Sequence, residues 1–330
     1  MRSDSSNADI FMVADLHLKE NDPLGVGIGI QNTRTQKKFE ILSNVVRLCV
    51  GSAADRVQLI LLGDMFDSPR IPEDLRFRFF EILGDAIRAG VSVTYVGDNH
   101  TRRGSTNPFA SESLLSTIQR SDKPGGCFRA VTMDNSLNCG DRYAGWNLVF
   151  VPFGDVAAVE ERLKGTDDPL KRTIVFGHWP LQLFDHGGGH VAESGVDPSL
   201  LEPFHSVFLG DYHLRQGSTD NGMGFKGYIG SAAAATFGEV GYPHYICKLT
   251  LNEYPAYNIE WIDAGDAPMV QLTVEKDLLR GGTGEWICSD GDAKSIPQKA
   301  LVKLIFNGTR EDLASLDMKP WIDCVNRFNP

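Results

Sequence analysis

The sequence predicts an α/β fold whose chemistry lies at the carboxyl ends of its strands. Two observations carry this expectation. Strand-like apolar runs alternate with helix-periodic segments from residue 9 to about 180. Several of these runs, and a later one, end in small clusters of Asp, His and Asn. In open α/β sheets the crevice beyond the carboxyl ends of the strands is where ligands bind.

The first run, Ile10-Phe11-Met12-Val13, leads into Asp15 and His17. Leu59 to Leu62 leads into Gly63-Asp64 and Asp67, Val91 to Val96 into Asn99-His100, and Thr173 to Phe176 into Gly177-His178. Val207 to Leu209 runs into Gly210-Asp211-Tyr212-His213. Together the clusters offer about seven oxygen or imidazole donors, which is what two divalent cations sharing a carboxylate require.

Between these runs, Gln36 to Val50 sets Phe39, Leu42, Val45, Val46 and Cys49 on one helical stripe. Leu75 to Ala89 repeats the pattern with Phe79, Phe80, Leu83, Ala86 and Ile87, and Gly90 stands where a helix closes. Pro108 precedes a shorter helix, Ser111 to Ile118. After His213 the segments 224–230, 245–251, 259–262 and 270–274 read as strands of a second, mainly antiparallel sheet. Residues 264–299 have the Gly/Asp/Pro composition of loops and linkers. Ala300 to Phe306 is a strand, Asn307-Gly308 a turn, and Thr309 caps a helix at Arg310 to Leu316. The expected domains are therefore 1–263 and 264–330, the second a linker with a small α/β unit.

Composition narrows the function. The 330 residues are 42% apolar and 23% charged, as in ordinary globular proteins. No run approaches the ~20 apolar residues of a membrane span. The N-terminal residues have no apolar signal region, and the six cysteines lie far apart with no C-x-x-C pair. A reducing, cytoplasmic setting with no membrane association is expected. The net charge of −11 excludes a general nucleic-acid sponge, which needs lysines and arginines against phosphate. It leaves room for a nuclease, since two cations bring about +4 to the catalytic edge. Arg102, Arg103 and Arg215 are the basic residues nearest the motifs, on the side where a phosphodiester would sit.

The ordered set Asp15-Leu16-His17, Gly63-Asp64-Met65-Phe66-Asp67, Asn99-His100, Gly177-His178 and Gly210-Asp211-Tyr212-His213 resembles the calcineurin-like metallophosphoesterase superfamily over about 15–215. Within it the chain is most similar to the SbcD-type nuclease subunit of DNA double-strand-break repair, including bacteriophage recombination endonuclease subunits. The second motif, Tyr228-Ile229-Gly230-Ser231 with Phe237-Gly238-Glu239, and the late unit Leu301 to Glu311 carry that likeness.

The resemblance implies a four-layer αββα sandwich with a small α/β capping domain, and two divalent ions, Mn²⁺ or Mg²⁺. Carried onto this sequence, Asp15, His17 and His213 hold one metal, Asn99, His178 and Asp211 the other, and Asp64 bridges them. His100 contacts the phosphate and helps protonate the leaving alkoxide, while Asp67 orients His17. The implied activity is exonucleolytic and endonucleolytic hydrolysis of DNA in repair or recombination. The implied partners are DNA, an SMC-like ATPase subunit and a second copy of the chain, with helix 111–118 as the dimer surface. The alternatives are a phosphoesterase for a small nucleotide or phosphoprotein, and a catalytically impaired DNA-end-binding scaffold.

Two departures from the family pattern stand out. The family shows Gly-Asn-His-Asp where this chain has Asp98-Asn99-His100-Thr101, so a one-residue shift with Asp98 as ligand is the alternative reading there. Asp211 stands where the family generally has His. Asp15, Asp64 and Asp211 then set −3 against +4 from two cations, which favours the harder ions. The glycine runs Gly25 to Gly29 and Gly187 to Gly189 read as loops, and His205 and His244 as structural residues.

Overall fold

The computed structural model describes residues 7–25, 27–28, 31–100, 126–131, 141–166, 170–185, 189–219, 224–276, 286–288, 297, 300–314, 316–319 and 322. In chain order its strands are β1 (Ala8–Val13), β2 (Gly27–Ile28), β3 (Gln31–Asn32), β4 (Arg56–Leu61), β5 (Ser92–Val96), β6 (Cys127–Val131) and β7 (Asp141–Tyr143). Then come β8 (Trp146–Val151), β9 (Thr173–His178), β10 (Ser206–Gly210), β11 (Gln216–Ser218), β12 (Lys226–Tyr228), β13 (Tyr245–Leu251) and β14 (Tyr257–Asp263). The helices α1 (Thr33–Val50), α2 (Glu73–Arg88) and α3 (Val156–Lys164) interrupt them.

Because side chains alternate across a strand, each buried strand feeds two cores. In β1, Ile10 and Met12 face one way and Phe11 and Val13 the other. Phe11, Val13, Leu59, Leu61, Val93 and Tyr95 pack against Phe39, Leu42, Val45 and Val46 of α1 and Phe79, Leu83 and Ile87 of α2. Ile10, Met12, Ile60 and Leu62 meet Leu148, Phe150, Ile174, Phe176 and Phe208 of a second sheet. That sheet's other face buries Val151, Val175, Val207 and Leu209 against Val159 and Leu163 of α3. The result is four layers, helix–sheet–sheet–helix, as the sequence predicts.

Both sheets have six strands and are mixed, in the orders β14-β13-β1-β4-β5-β6 and β11-β12-β10-β9-β8-β7. Their centres are parallel: β1, β4, β5 and β6 in the first, and β8, β9, β10 and β12 in the second. This corrects the expectation of a second, mainly antiparallel sheet built after His213. The β13–β14 hairpin instead extends the first sheet, pairing antiparallel with β1 from Ala8↔Leu251 to Met12↔Cys247. Both faces of β13 then find cores, Ile246 under the helices and Cys247 and Leu249 between the sheets. Residues 270–274 leave the sandwich altogether.

Helix α1 starts earlier than its apolar stripe because the Asn32 side chain accepts the Arg34 and Thr35 N–H groups at 3.0 and 3.2 Å. Helix α2 ends at Arg88, and Gly90 takes the left-handed φ of +97° that a helix exit favours.

The chain divides into two compact units. One comprises the residues through Ala235 with Pro243–Asp266, the other Thr236–Tyr242 with the residues from Ala267 onward. The second unit holds β15 (Met269–Lys276), β16 (Trp286–Cys288), β17 (Leu301–Asn307) and α4 (Arg310–Ala314). Its sheet runs β16-β15-β17, with β15 and β17 parallel. Val270 and Leu272 pair with Val302 and Leu304 over its small core. Among the described residues no helix is long and apolar enough to cross a membrane.

Phe150, Phe176, Phe208 and Phe225 stack in series with ring centroids 5.4, 5.8 and 5.5 Å apart between the sheets. Phe176→Ala is expected to cost about 3–5 kcal/mol through the cavity it leaves, read from a lower urea midpoint at unchanged m-value.

Candidate metal centre

The sandwich brings the carboxyl ends of β1, β4 and β5 in one sheet beside those of β9 and β10 in the other. The chain turns sharply just past these ends. Six described non-glycine residues have positive φ, and four of them are Asp15 (54°), His17 (45°), Asp64 (49°) and Asp211 (102°). Left-handed backbone is costly for residues with a Cβ, and such strain concentrates at functional sites. Here it aims four side chains into one place.

Glycines let the sheets close at this edge. A Cβ on Gly63 would lie 2.3 Å from His178 Nδ1, and one on Gly210 would lie 2.2 Å from the Leu62 carbonyl oxygen. His178 itself is the last residue of β9, on the same face as Phe176, so its ring reaches across the inter-sheet gap.

There the Asp64 carboxylate is central. Its Oδ2 lies 3.5 Å from His178 Nε2, 3.7 Å from His17 Nε2 and 3.8 Å from His100 Nε2. Its Oδ1 is buried and, among the described residues, has no hydrogen-bond partner. His17 Nε2 and His213 Nε2 face each other at 3.0 Å. His178 Nε2 lies 3.3 Å from Asn99 Oδ1 and 3.8 Å from Asp211 Oδ1. The Asp211 N–H donates to Asp15 Oδ1 at 3.1 Å. Donor atoms of Asp15, His17 and His213 fall within 4.8 Å of one another, as do those of Asp15, Asp64 and His178. Two ligand clusters thus share Asp15, with Asp64 beside both.

Ring orientations suit ligation. The Leu62 carbonyl can only accept, so His178 Nδ1–H donates to it at 2.7 Å and Nε2 faces the cluster. Asp67 Oδ1 lies 3.2 Å from His17 Nδ1, an ion-pair distance on the side of the ring away from His17 Nε2, which faces the cluster. His100 Nδ1 lies 3.1 Å from the Asp67 carbonyl oxygen, so that nitrogen carries the proton and Nε2 points to Asp64.

The electrostatics are those of a site that wants cations. Burial pushes Asp15 up to about 7 and raises Asp211, against the pull of nearby histidines. Burial also acts to raise Asp64, but His178, His17 and His100 overcome it and hold that carboxyl at about 2. Burial would depress His178, yet Asp64, Asp211 and Asp15 raise it well above the usual imidazole range. His17 is lowered by burial, and the His17 ring holds Asp67 far below the carboxylate range. The buried carboxylates of Asp15 and Asp64, the partly buried one of Asp211, an Asp64 oxygen with no hydrogen-bond partner among the described residues and inward imidazoles form a donor set fitted to two hard divalent ions. Such ions would be held by Asp15, His17, Asp64, Asn99, His178, Asp211 and His213.

Two buried cations on α1 brace the site, and the sequence reading missed both. Lys38 Nζ donates to the His17 carbonyl at 3.1 Å and to Asp22 Oδ2 at 2.7 Å, with neither charged side chain reached by solvent. One turn earlier, Arg34 forks onto Asp266 and donates to the Ala234 carbonyl at 2.6 Å. Lys38 falls among apolar neighbours on the helix stripe, so only its enclosure within the folded chain reveals the role.

Other expected positions go elsewhere. Asp98 Oδ2 accepts the Asp64 N–H at 2.9 Å and the Tyr95 hydroxyl, while Asn99 carries the oxygen that faces His178. Arg215 lies with its guanidinium 4.7 and 4.8 Å from the ring centres of Tyr245 and Trp261. His205 sits edge-on to Trp146, and His244 Nδ1 lies 3.1 Å from Ser231 Oγ. Thr101, Arg102, Arg103, helix 111–118 and residues 186–188 lie outside the described residues.

No protein-family model matches the sequence, and no curated protein does. The chain is similar to solved structures, among them the crystal structure of a dimetal phosphatase from Danio rerio, 10% identical over 78% of this chain and 96% of that one, with a TM-score of 0.49.

Two outcomes are expected. Lys38→Met leaves the Asp22 carboxylate buried without its cation and should cost about 3–5 kcal/mol in chemical denaturation, much of it recovered in Lys38→Met/Asp22→Leu. Cations must displace the protons that the metal-free site keeps on Asp15 up to about pH 7 and on His178 beyond the imidazole range. Affinity for Mn²⁺ should therefore climb between about pH 6 and pH 8 with protons released to buffer; calorimetry showing a flat affinity would contradict this.

Proposed function

We propose that this chain is a two-metal phosphodiester hydrolase whose substrate is DNA. The observation that carries the reading is the Asp64 carboxylate, set between the imidazoles of His17 and His178 with one buried oxygen unpaired among the described residues. Two divalent ions there would supply Lewis acidity and positive charge toward the non-bridging oxygens of a phosphoryl group.

The chain's own residues do the rest. Asp67 and the Leu62 carbonyl fix the two inward imidazoles, and Lys38 holds the His17 peptide. His100 is about a third exposed at its side chain, close to Asp64 but held by the Asp67 carbonyl. It is placed to touch a phosphate ester through Nε2 and, when both ring nitrogens carry a proton, to give the one on Nε2 to a departing alkoxide. Asp211 adds a third carboxylate, partly buried, which supports Mn²⁺ or Mg²⁺ over softer ions.

Support for DNA comes from the hydrophobic form of the second motif and from the separate C-terminal α/β unit, a body that hydrolysis of a small ester does not require. In the same reading the chain works with an SMC-like ATPase subunit and as a homodimer. The net charge of −11 and the engagement of Arg215 with two rings favour instead a small phosphoester.

Incubation with Mn²⁺, end-labelled duplex DNA and bis-p-nitrophenyl phosphate separates the two. DNA degradation supports the proposal; turnover of the small ester with intact DNA overturns it. His100→Ala should lower kcat by about 10²-fold or more with Mn²⁺ binding retained. An unchanged kcat in that variant would remove His100 from the chemistry, whereas a non-catalytic DNA-end-binding scaffold would turn over neither substrate with Mn²⁺. Zinc that activates better than manganese would count against the harder-ion preference.

A further inference from the structure

We propose that Asp98 is a positioning residue of the metal centre, fixing the backbone of Asp64 and the adjoining Asn99 in one register. The inference rests on the dinuclear reading of the site. It concerns a residue that replaces the glycine of the family pattern, so it is a device of this chain.

Asp98 is buried, with 3% of its surface exposed. One of its oxygens, Oδ2, takes two hydrogen bonds. The Asp64 N–H donates to it at 2.9 Å, and the hydroxyl of the fully buried Tyr95 donates from β5. The carboxylate is thereby anchored to the sheet on one side and grips the turn after β4 on the other.

That turn needs a grip. Gly63 and Asp64 have φ of +81° and +49°, successive left-handed residues with no regular ladder to hold them. On its other side the Asp64 carbonyl accepts the His17 N–H at 2.9 Å. Both peptide groups flanking the Asp64 Cα are clamped, the N–H by Asp98 and the C=O by the His17 loop. The side chain then has one direction to take, between His17 and His178. The next residue in the chain, Asn99, places Oδ1 3.3 Å from His178 Nε2. A single carboxylate therefore sets the spacing of two ligands that come from different strands.

Two contributions are separable. Asn at 98 keeps an oxygen that can accept the Asp64 N–H but removes the charge, whereas Ala removes both. Partners that orient metal ligands typically change metal affinity by about 10- to 100-fold when deleted.

Calorimetric titration of the metal-free full chain with Mn²⁺ tests this, alongside circular dichroism. Asp98→Ala is expected to weaken one of two Mn²⁺ equivalents about 10- to 100-fold, with Asp98→Asn recovering most of the loss. Wild-type affinity in Asp98→Ala overturns the role. So does complete loss of one equivalent in Asp98→Asn, which would make Asp98 a direct ligand. If Asp98→Ala fails to fold, Tyr95→Phe, which deletes one hydroxyl, is read instead. It should weaken the same equivalent in the same direction as Asp98→Ala, and an unaltered titration overturns the proposal. Wild-type protein taking up fewer than two equivalents overturns the dinuclear reading itself, whereas two equivalents in wild type with unaltered variants overturn only Asp98.

Discussion

A buried carboxylate with an oxygen unpaired among the described residues is the constraint on which this edge of the sandwich depends. Asp64 sits where two sheets close, on a left-handed turn, with three imidazoles within 4 Å of one oxygen and, among the described residues, nothing hydrogen-bonded to the other. Such an arrangement costs free energy in the metal-free chain, through desolvation and through the repulsion of Asp15 and Asp211 nearby. The protons drawn onto Asp15 and His178 partly offset that cost. Divalent cations would offset it further while being useful in chemistry, and this is the physical reason the edge reads as a metal centre.

The supports of the edge belong to the fold and not to the cations. Lys38 and Arg34 are both buried on one face of α1, one turn apart, and each is matched by a buried carboxylate. Lys38 reaches the His17 carbonyl, and Arg34 reaches the Ala234 carbonyl together with Asp266. The Ser231–Ala232 segment leading to Ala234 donates to the His213 and Ala14 carbonyls at 2.9 and 3.0 Å. Helix α1 therefore steadies both ends of one ligand cluster, the Asp15–His17 turn directly and the His213 turn through residues 231–234. Buried ion pairs are poor sources of net stability, and their use here is to fix geometry, which is what ligands from five separate segments need.

Much of this was legible in the sequence. The strand runs ending in Asp, His and Asn mark the edge because apolar runs are buried and the polar residues that follow must turn out of the sheet. The stripes of α1 and α2 follow from helical periodicity. Sheet membership was not legible: β13 and β14 carry the alternation of an antiparallel pair, and alternation does not say which edge they extend. Helix α3 buries only Val159 and Leu163, too weak a stripe to stand out from its charged neighbours. The support of the site was hidden for a different reason. A lysine among apolar residues, or an aspartate beside a ligand-type Asn-His pair, declares its partner only when distant segments meet.

The same distinction resolves the charge of the chain. A net of −11 would repel a polyanion if it acted at long range, but exposed charges are screened within about 8–10 Å at ordinary ionic strength. What a phosphodiester would meet at the edge is local. The cations of α1 are already matched by Asp22 and Asp266, and Arg215 lies over Tyr245 and Trp261. Protein side chains among the described residues thus leave little free positive charge at this edge, while the carboxylates there concentrate divalent ions. Attraction for phosphate then depends on metal loading, and the acidity of the chain becomes part of how the edge would be armed.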